Sequence, residues 1–168
     1  MSPVLVVFAG LPGVGKSTLA VRLGVALTAP VLPVDPVERA LARQGITGPA
    51  AGLAAYGSLA GLAEVQLDLG LSVIVDAVNP VASARALWED LAARARVPLR
   101  VVEVWCGDEV EHRRRIERRW DAGADPLVPD WAQTLARRAE YEPFVGPRLV
   151  VDTATAADPL PSILAYLD

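Results

Sequence analysis

The chain is poor in the residues that build cross-links and metal centres. It has one cysteine and one histidine. That excludes an internal disulfide framework, a cysteine-built zinc site and a histidine-rich metal centre. Aromatic residues make up only 5%, and the four tryptophans are dispersed at positions 88, 105, 120 and 131. They read as core or lid packing, because a base-stacking platform needs rings along one groove. Positive charge is not in excess either. The net charge of −4 supplies no global field to draw the protein onto nucleic acid or an anionic membrane. A stretch of 20 residues from Gln44 to Ala63 carries no charge, long enough to consider as a membrane span. It is broken by Gly45, Gly48, Pro49, Gly52, Gly57 and Gly61 and is otherwise mostly alanine. We therefore expect a loop and a small-residue helix packed closely on a neighbour. The apolar stretch Pro3 to Gly15 has no basic lead-in and is interrupted by Lys16, so no export signal is read and a cytoplasmic location is expected.

What is present is a chain of 168 residues, 52% apolar, enough to bury a core and of a size for one domain over residues 1–168. Of its 16 basic residues 15 are arginine, and the single lysine is Lys16. A lysine kept where arginine serves everywhere else points to a task a guanidinium cannot perform.

Apolar runs and helical spacings alternate. Strands are expected at Val4–Ala9, Val31–Val34, Ser72–Asp76, Leu99–Trp105 and Leu149–Asp152. Pro33 inside the second run favours an edge strand, because proline cannot donate to a ladder. Helices are expected at Ser17–Leu27, Pro36–Arg43, Pro49–Leu69, Pro80–Arg94, from Asp108, at Trp131–Tyr141 and at Pro159–Leu167. Asp108 with Glu111, and Asp130 with Gln133, have capping-box spacing. Trp120–Asp130, with Gly123, Pro126 and Pro129, reads as a mobile loop. The alternation predicts an α/β fold, a parallel sheet covered on both faces, with ligands at the carboxyl ends of the strands.

Residues 10–17 read Gly-Leu-Pro-Gly-Val-Gly-Lys-Ser, the full G-x-x-x-x-G-K-[ST] pattern between an expected strand and an expected helix. Gly10, Gly13 and Gly15 let the backbone turn with its amides inward. Those amides and the following helix amino terminus favour anions. The expected nucleotide contacts are Gly10, Pro12, Gly13, Val14, Gly15, Lys16, Ser17 and Thr18. Lys16, a compact charge on a flexible stem, suits the β- and γ-phosphates better than a planar guanidinium. Ser17 offers a hydroxyl to Mg²⁺. The motif predicts a nucleoside triphosphate, ATP with GTP as the alternative, and leaves the acceptor open.

Asp35 closes the second expected strand, where a carboxylate can take the proton of an attacking hydroxyl. Arg39, four residues on, could hold an anionic group of an acceptor. Val73-Ile-Val-Asp76 has Walker B form, so Asp76 is expected to bind Mg²⁺ or touch the acceptor. Asn79 is either a helix cap or a substrate contact, and Arg85 is expected on the exposed side of its helix and within reach of substrate. Glu111–Arg119 carries five arginines against two glutamates, a local +3 in an acidic protein. Arg115 and Arg119 share a helix face. With Arg118 they are candidates to neutralise charge developing in phosphoryl transfer. Cys106 is expected at the packed end of a strand, and His112 on the surface.

These residues resemble the small P-loop kinases of the zeta-toxin, chloramphenicol phosphotransferase and polynucleotide kinase group, which carry the AAA-family ATPase label. The resemblance rests on Gly10–Thr18, Asp35 with Arg39, the stretch Gly70 to Asn79, Arg115 with Arg119, and Tyr141-Glu-Pro143, and covers nearly the whole chain. It implies a P-loop NTPase three-layer sandwich with a five-stranded parallel sheet ordered 2-3-1-4-5 and an arginine-bearing lid at about residues 113–130. It also implies ATP-dependent transfer to a hydroxyl, with Asp35 as general base. The acceptor is either a small molecule or nucleoside, or a polynucleotide 5′ end. The alternative is a stand-alone NTPase or nucleotide-switched binding protein that phosphorylates nothing.

Overall fold

The computed structural model describes residues 2–121, 123, 128–155 and 157–168. Part of the expected lid, residues 122 and 124–127, lies outside the described residues. Strand β1 (Leu5–Ala9) leads into α1 (Lys16–Leu27), and β2 (Val31–Pro33) into α2 (Val34–Arg43) and α3 (Pro49–Asp68). Then follow β3 (Val73–Asp76), α4 (Ala82–Ala95), β4 (Leu99–Trp105), α5 (Glu109–Asp121), α6 (Trp131–Ala139), β5 (Leu149–Asp152) and α7 (Leu160–Leu167).

The five strands pair in parallel in the order β2-β3-β1-β4-β5. This is the P-loop NTPase-like α/β fold, as expected. Pro33 sits in the edge strand β2. There its missing N–H removes no ladder bond between inner strands. Strand β1 lies at the centre and every residue of it is buried, which is why it reads as a continuous apolar run rather than an alternating one.

The two faces of β1 separate two cores. Val4, Val6 and Phe8 pack with Leu19 and Leu23 of α1 and Ile163 and Leu167 of α7. Leu5 and Val7 pack with Leu59 of α3 and Trp88 and Leu91 of α4. Alternate side chains of one strand thus hold helices on opposite faces. The close packing expected of α3 comes from its alanines: Ala51, Ala55, Ala60 and Ala63 are buried. Its glycines do the opposite, since a Cβ added at Gly52, Gly57 or Gly61 would meet open space. Among the described residues no helix is long and apolar enough to cross a membrane.

Two helix starts differ from the sequence expectation. Helix α2 begins at Val34, two residues earlier than the expected Pro36, so Asp35 lies in its first turn. Helix α4 begins at Ala82, because Asn79 adopts a left-handed φ of 52° and Val81 is extended as the N-cap. Asn79 is therefore not the cap. Both helices still start at carboxyl ends of strands, so their first turns face the edge where ligands bind in parallel sheets.

Trp88 is 1% exposed and completes the α3–α4 core. Trp88→Ala is expected to lower unfolding stability by about 3–5 kcal/mol, measured by urea denaturation of the purified chain.

Candidate functional site

The loop between β1 and α1 is shaped by its neighbours as much as by its glycines. Gly10 has φ 135°, and a Cβ there would collide with the carbonyl of Val104 in β4. Gly13 has φ 78°, and a Cβ there would run into the end of the Ile116 side chain. Both positions need glycine for conformation and for space. The loop then enters α1 through Gly15, which caps the helix with no side chain of its own. The first-turn amides of α1 are left for another acceptor.

Lys16 turns back over this loop and donates to the carbonyl of Leu11 at 2.9 Å. It is 8% exposed. Burial pushes its ammonium pKa down from the ordinary lysine value, and the nearby carboxylates of Asp76 and Asp35 oppose that shift. Asp76 itself, at the carboxyl end of β3, is 6% exposed. Ser17 and Thr18 are exposed in the first turn of α1.

These groups line one cleft of about 1360 Å³. Around it lie Lys16, Ser17 and Asp76, then Asp35 and Arg39 of α2, then Arg115, Arg118 and Arg119 of α5. The Arg119 guanidinium stands 3.6 Å from an Asp35 carboxylate oxygen, so the base candidate and one arginine candidate meet across the opening. Arg115 is held differently. Its Nη1 donates to Thr153 Oγ1 at 2.8 Å and its Nη2 to the Thr153 carbonyl at 3.0 Å. Glu111 binds its Nε at 2.8 Å. Thr153 in turn donates to the Val14 carbonyl at 2.7 Å, which links the arginine helix to the loop.

Residues 5–144 match the AAA_33 family model, described as an AAA domain. The chain belongs to the AAA_33 family. Solved structures similar to this AAA_33 chain include a candidate kinase from Chloroflexus aurantiacus, at TM-score 0.79 and 22% identity over 99% of this chain and 97% of that one. The Mycobacterium tuberculosis APS kinase CysC, in complex with AMPPNP and APS, aligns at TM-score 0.71 and 22% identity, covering 99% and 96%. Chaetomium thermophilum Kti12, in complex with ADP-AlF3, aligns at TM-score 0.76 and 20% identity, covering 97% and 96%. At these identities the likeness is one of fold. No curated protein matches the chain.

Two residues expected at the substrate are placed elsewhere in the AAA_33 chain. Arg85 is buried, not on the exposed side of α4. It donates to the carbonyls of Asn79, Pro80, Glu142 and Pro143, and its guanidinium lies 3.6 Å from the Phe144 ring centroid. It ties the chain after α6 to the turn after β3. Asn79 is fully buried. Its Nδ2 donates to the Phe8 carbonyl at 2.9 Å and its Oδ1 accepts from Trp88 Nε1 at 2.8 Å, while its amide donates to the Tyr56 hydroxyl. A short side chain that tolerates the left-handed region and carries both donor and acceptor is what that turn requires. His112 is also buried, against expectation, with a ring nitrogen 2.7 Å from the Pro12 carbonyl. An arginine or histidine amid charged helical sequence reads as exposed because composition does not reveal which face a neighbour covers.

Sequence reasoning missed Glu38, Arg137 and Thr153, which lie on the cleft together with Tyr56 of α3. Thr153 follows the end of β5, so the strand-end rule that found Asp35 and Asp76 reaches it. Glu38 lies one turn from Asp35 on α2. Burial, with the Asp35 charge beside it, raises its carboxyl pKa. Burial likewise pushes the Tyr56 phenol up to about 12, so it stays protonated at neutral pH.

Arg85→Met takes the donor from four carbonyls, that of the buried Asn79 among them. It is expected to cost about 1.5–3 kcal/mol of stability, read in urea melts, and to leave the affinity of the folded fraction for ADP unchanged.

Proposed function

We propose that the chain is an ATP- and Mg²⁺-dependent phosphotransferase that moves the γ-phosphoryl group of ATP to a hydroxyl of a small-molecule acceptor. The reading is carried by one observation: Lys16 in the glycine loop and Asp35 on α2 face a single cleft, with Arg119 reaching towards Asp35. The loop amides and the amino terminus of α1 would hold the β- and γ-phosphates. Lys16, already held inside the loop at a desolvation cost, would regain a counter-charge there. The Ser17 hydroxyl and the Asp76 carboxylate are hard oxygen donors on the same cleft and fit Mg²⁺, which when bound neutralises charge between the β- and γ-phosphates.

In the transfer the acceptor oxygen bonds to the γ-phosphorus while the bond to the β,γ-bridging oxygen breaks, leaving ADP. Asp35 accepts the hydroxyl proton. Arg115, Arg118 and Arg119 stabilise the charge spread over the transferred group. Arg115 is pre-positioned by Thr153, and Arg119 is freed for this task when the acceptor hydroxyl takes its place beside Asp35.

The acceptor side supports a small molecule. Pro49, Leu53, Tyr56, Val81 and Ala84 give it an apolar wall, and Glu38 and Glu140 line it beside Asp35. Carboxylates there repel a polyanionic strand. Arg39 and Arg137, on the same cleft, favour the second reading, a polynucleotide 5′ end with its adjacent phosphate. The resemblance to the zeta-toxin, chloramphenicol phosphotransferase and polynucleotide kinase group accommodates both.

The test is incubation with γ-labelled ATP, Mg²⁺ and panels of nucleosides, sugars, amino alcohols and 5′-hydroxyl oligonucleotides. Label on a small alcohol is expected. Label on oligonucleotides, weakened by salt, supports the second reading. Label released only as inorganic phosphate overturns both. Asp35→Ala should keep ATP affinity and lose transfer by about 10²–10⁴-fold. Lys16→Ala should lose both. Saturating ATP should raise the melting temperature by about 5–10 °C in the unmodified chain and not in Lys16→Ala.

A further inference from the structure

The single histidine of the chain is not used by the transfer described above, and its surroundings are unusual for a residue in a charged helical stretch. His112 lies in the second turn of α5, 5% exposed. Its Nε2 is 2.7 Å from the carbonyl oxygen of Pro12. Pro12 stands between Leu11, whose carbonyl holds Lys16, and Gly13, whose α-carbon is covered by Ile116 one turn further along α5. On its other side the His112 ring meets Trp131, the first residue of α6, edge to face at 5.3 Å.

We propose that His112 is a positioning residue for the phosphate loop: by donating Nε2–H to the Pro12 carbonyl it turns that peptide so that the Gly13 amide faces the cleft. The reason is peptide geometry. In a planar trans peptide the C=O and the following N–H point in opposite directions, and this chain has no cis peptide among its described residues. A Pro12 carbonyl drawn towards α5 therefore sends the Gly13 N–H away from α5. With no donor on α5 the carbonyl is a buried acceptor without a partner, and the peptide is free to rotate towards the cleft, where its oxygen would repel phosphate.

The same residue sets the arginines. His112, Arg115, Ile116 and Arg119 fall at helical spacing on one face of α5. His112 and Ile116 seat that face on the loop, and Arg115 and Arg119 project from it towards Thr153 and Asp35. Loop and arginines are thereby held in one register. The charged groups facing the imidazole are Arg138 of α6, Arg115 of α5 and Lys16 of α1. All are cations. Burial comes first and these charges add to it in lowering the imidazole pKa, while the Pro12 carbonyl opposes them. These surroundings favour the neutral ring, and because a carbonyl oxygen can only accept, Nε2 is the nitrogen that carries the hydrogen.

This inference rests on the nucleotide-binding reading and deepens it. The experiment compares ADP affinity, by calorimetry at a temperature where each protein is folded, in the unmodified chain, His112→Phe and His112→Gln. Phenylalanine keeps a ring against Trp131 without the donor, and the glutamine amide places an N–H near the position of Nε2. His112→Phe is expected to weaken ADP binding about tenfold, the cost of one lost buried hydrogen bond. His112→Gln is expected to stay within about threefold of the unmodified chain. A purely structural role would lower melting temperature in His112→Phe and leave ADP affinity intact, and that result overturns the proposal alone. An unmodified chain that binds no ADP overturns the nucleotide reading and this proposal together. A second measurement does not depend on the variants. With one histidine the proton NMR spectrum has one imidazole Cε1–H resonance, and ADP should shift it and raise its titration midpoint, since polyphosphate favours the imidazolium. A resonance and midpoint unmoved by saturating ADP overturn the proposal.

Discussion

The site is organised around a buried ammonium. Lys16 is held inside the loop by a neutral carbonyl, with most of its surface taken from water. Burying such a group is costly unless opposite charge is near, and here that charge is supplied by Asp76 and Asp35 at some remove. The neighbouring elements answer this constraint. Strand β3 delivers Asp76, α2 delivers Asp35, and α5 brings arginines to the far side of the opening. A polyanion entering the cleft meets a cation already desolvated and oriented, so little rearrangement is needed at the moment of binding.

Around that centre the chain separates rigid from adjustable parts. Asn79 and Arg85 fasten the turn after β3 to β1, α4 and the segment after α6 through hydrogen bonds. They act as framework beneath the cleft rather than as contacts within it. Arg115 is likewise pinned, through Thr153 to the loop. Arg119 and Asp35 are both about half exposed and meet at 3.6 Å, a pair weak enough to part when a ligand competes.

Much of the fold was legible because parallel sheets write themselves plainly. Runs buried on both faces, each followed by a helical spacing, left few alternatives, and Pro33 marked the edge strand. The strand-end rule likewise picked out Asp35 and Asp76, both of which line the cleft. Helix starts were less legible where one residue departs from ordinary backbone conformation. The left-handed Asn79 delays α4, and no periodicity records it.

What the sequence determined by itself is the local chemistry: a glycine-rich turn ending in the one lysine, carboxylates closing two buried strands, and a cluster of arginines. Each is a property of a short segment, legible in its residue types and their spacing. Only the tertiary structure decided which charged side chains meet the cleft. Arg85 and Arg119 look alike in a charged helical sequence, yet one spends its donors on backbone carbonyls and the other faces Asp35. His112 turns inward for the same reason. A helix presents every side chain to some direction, and which direction is covered depends on elements far away in the chain.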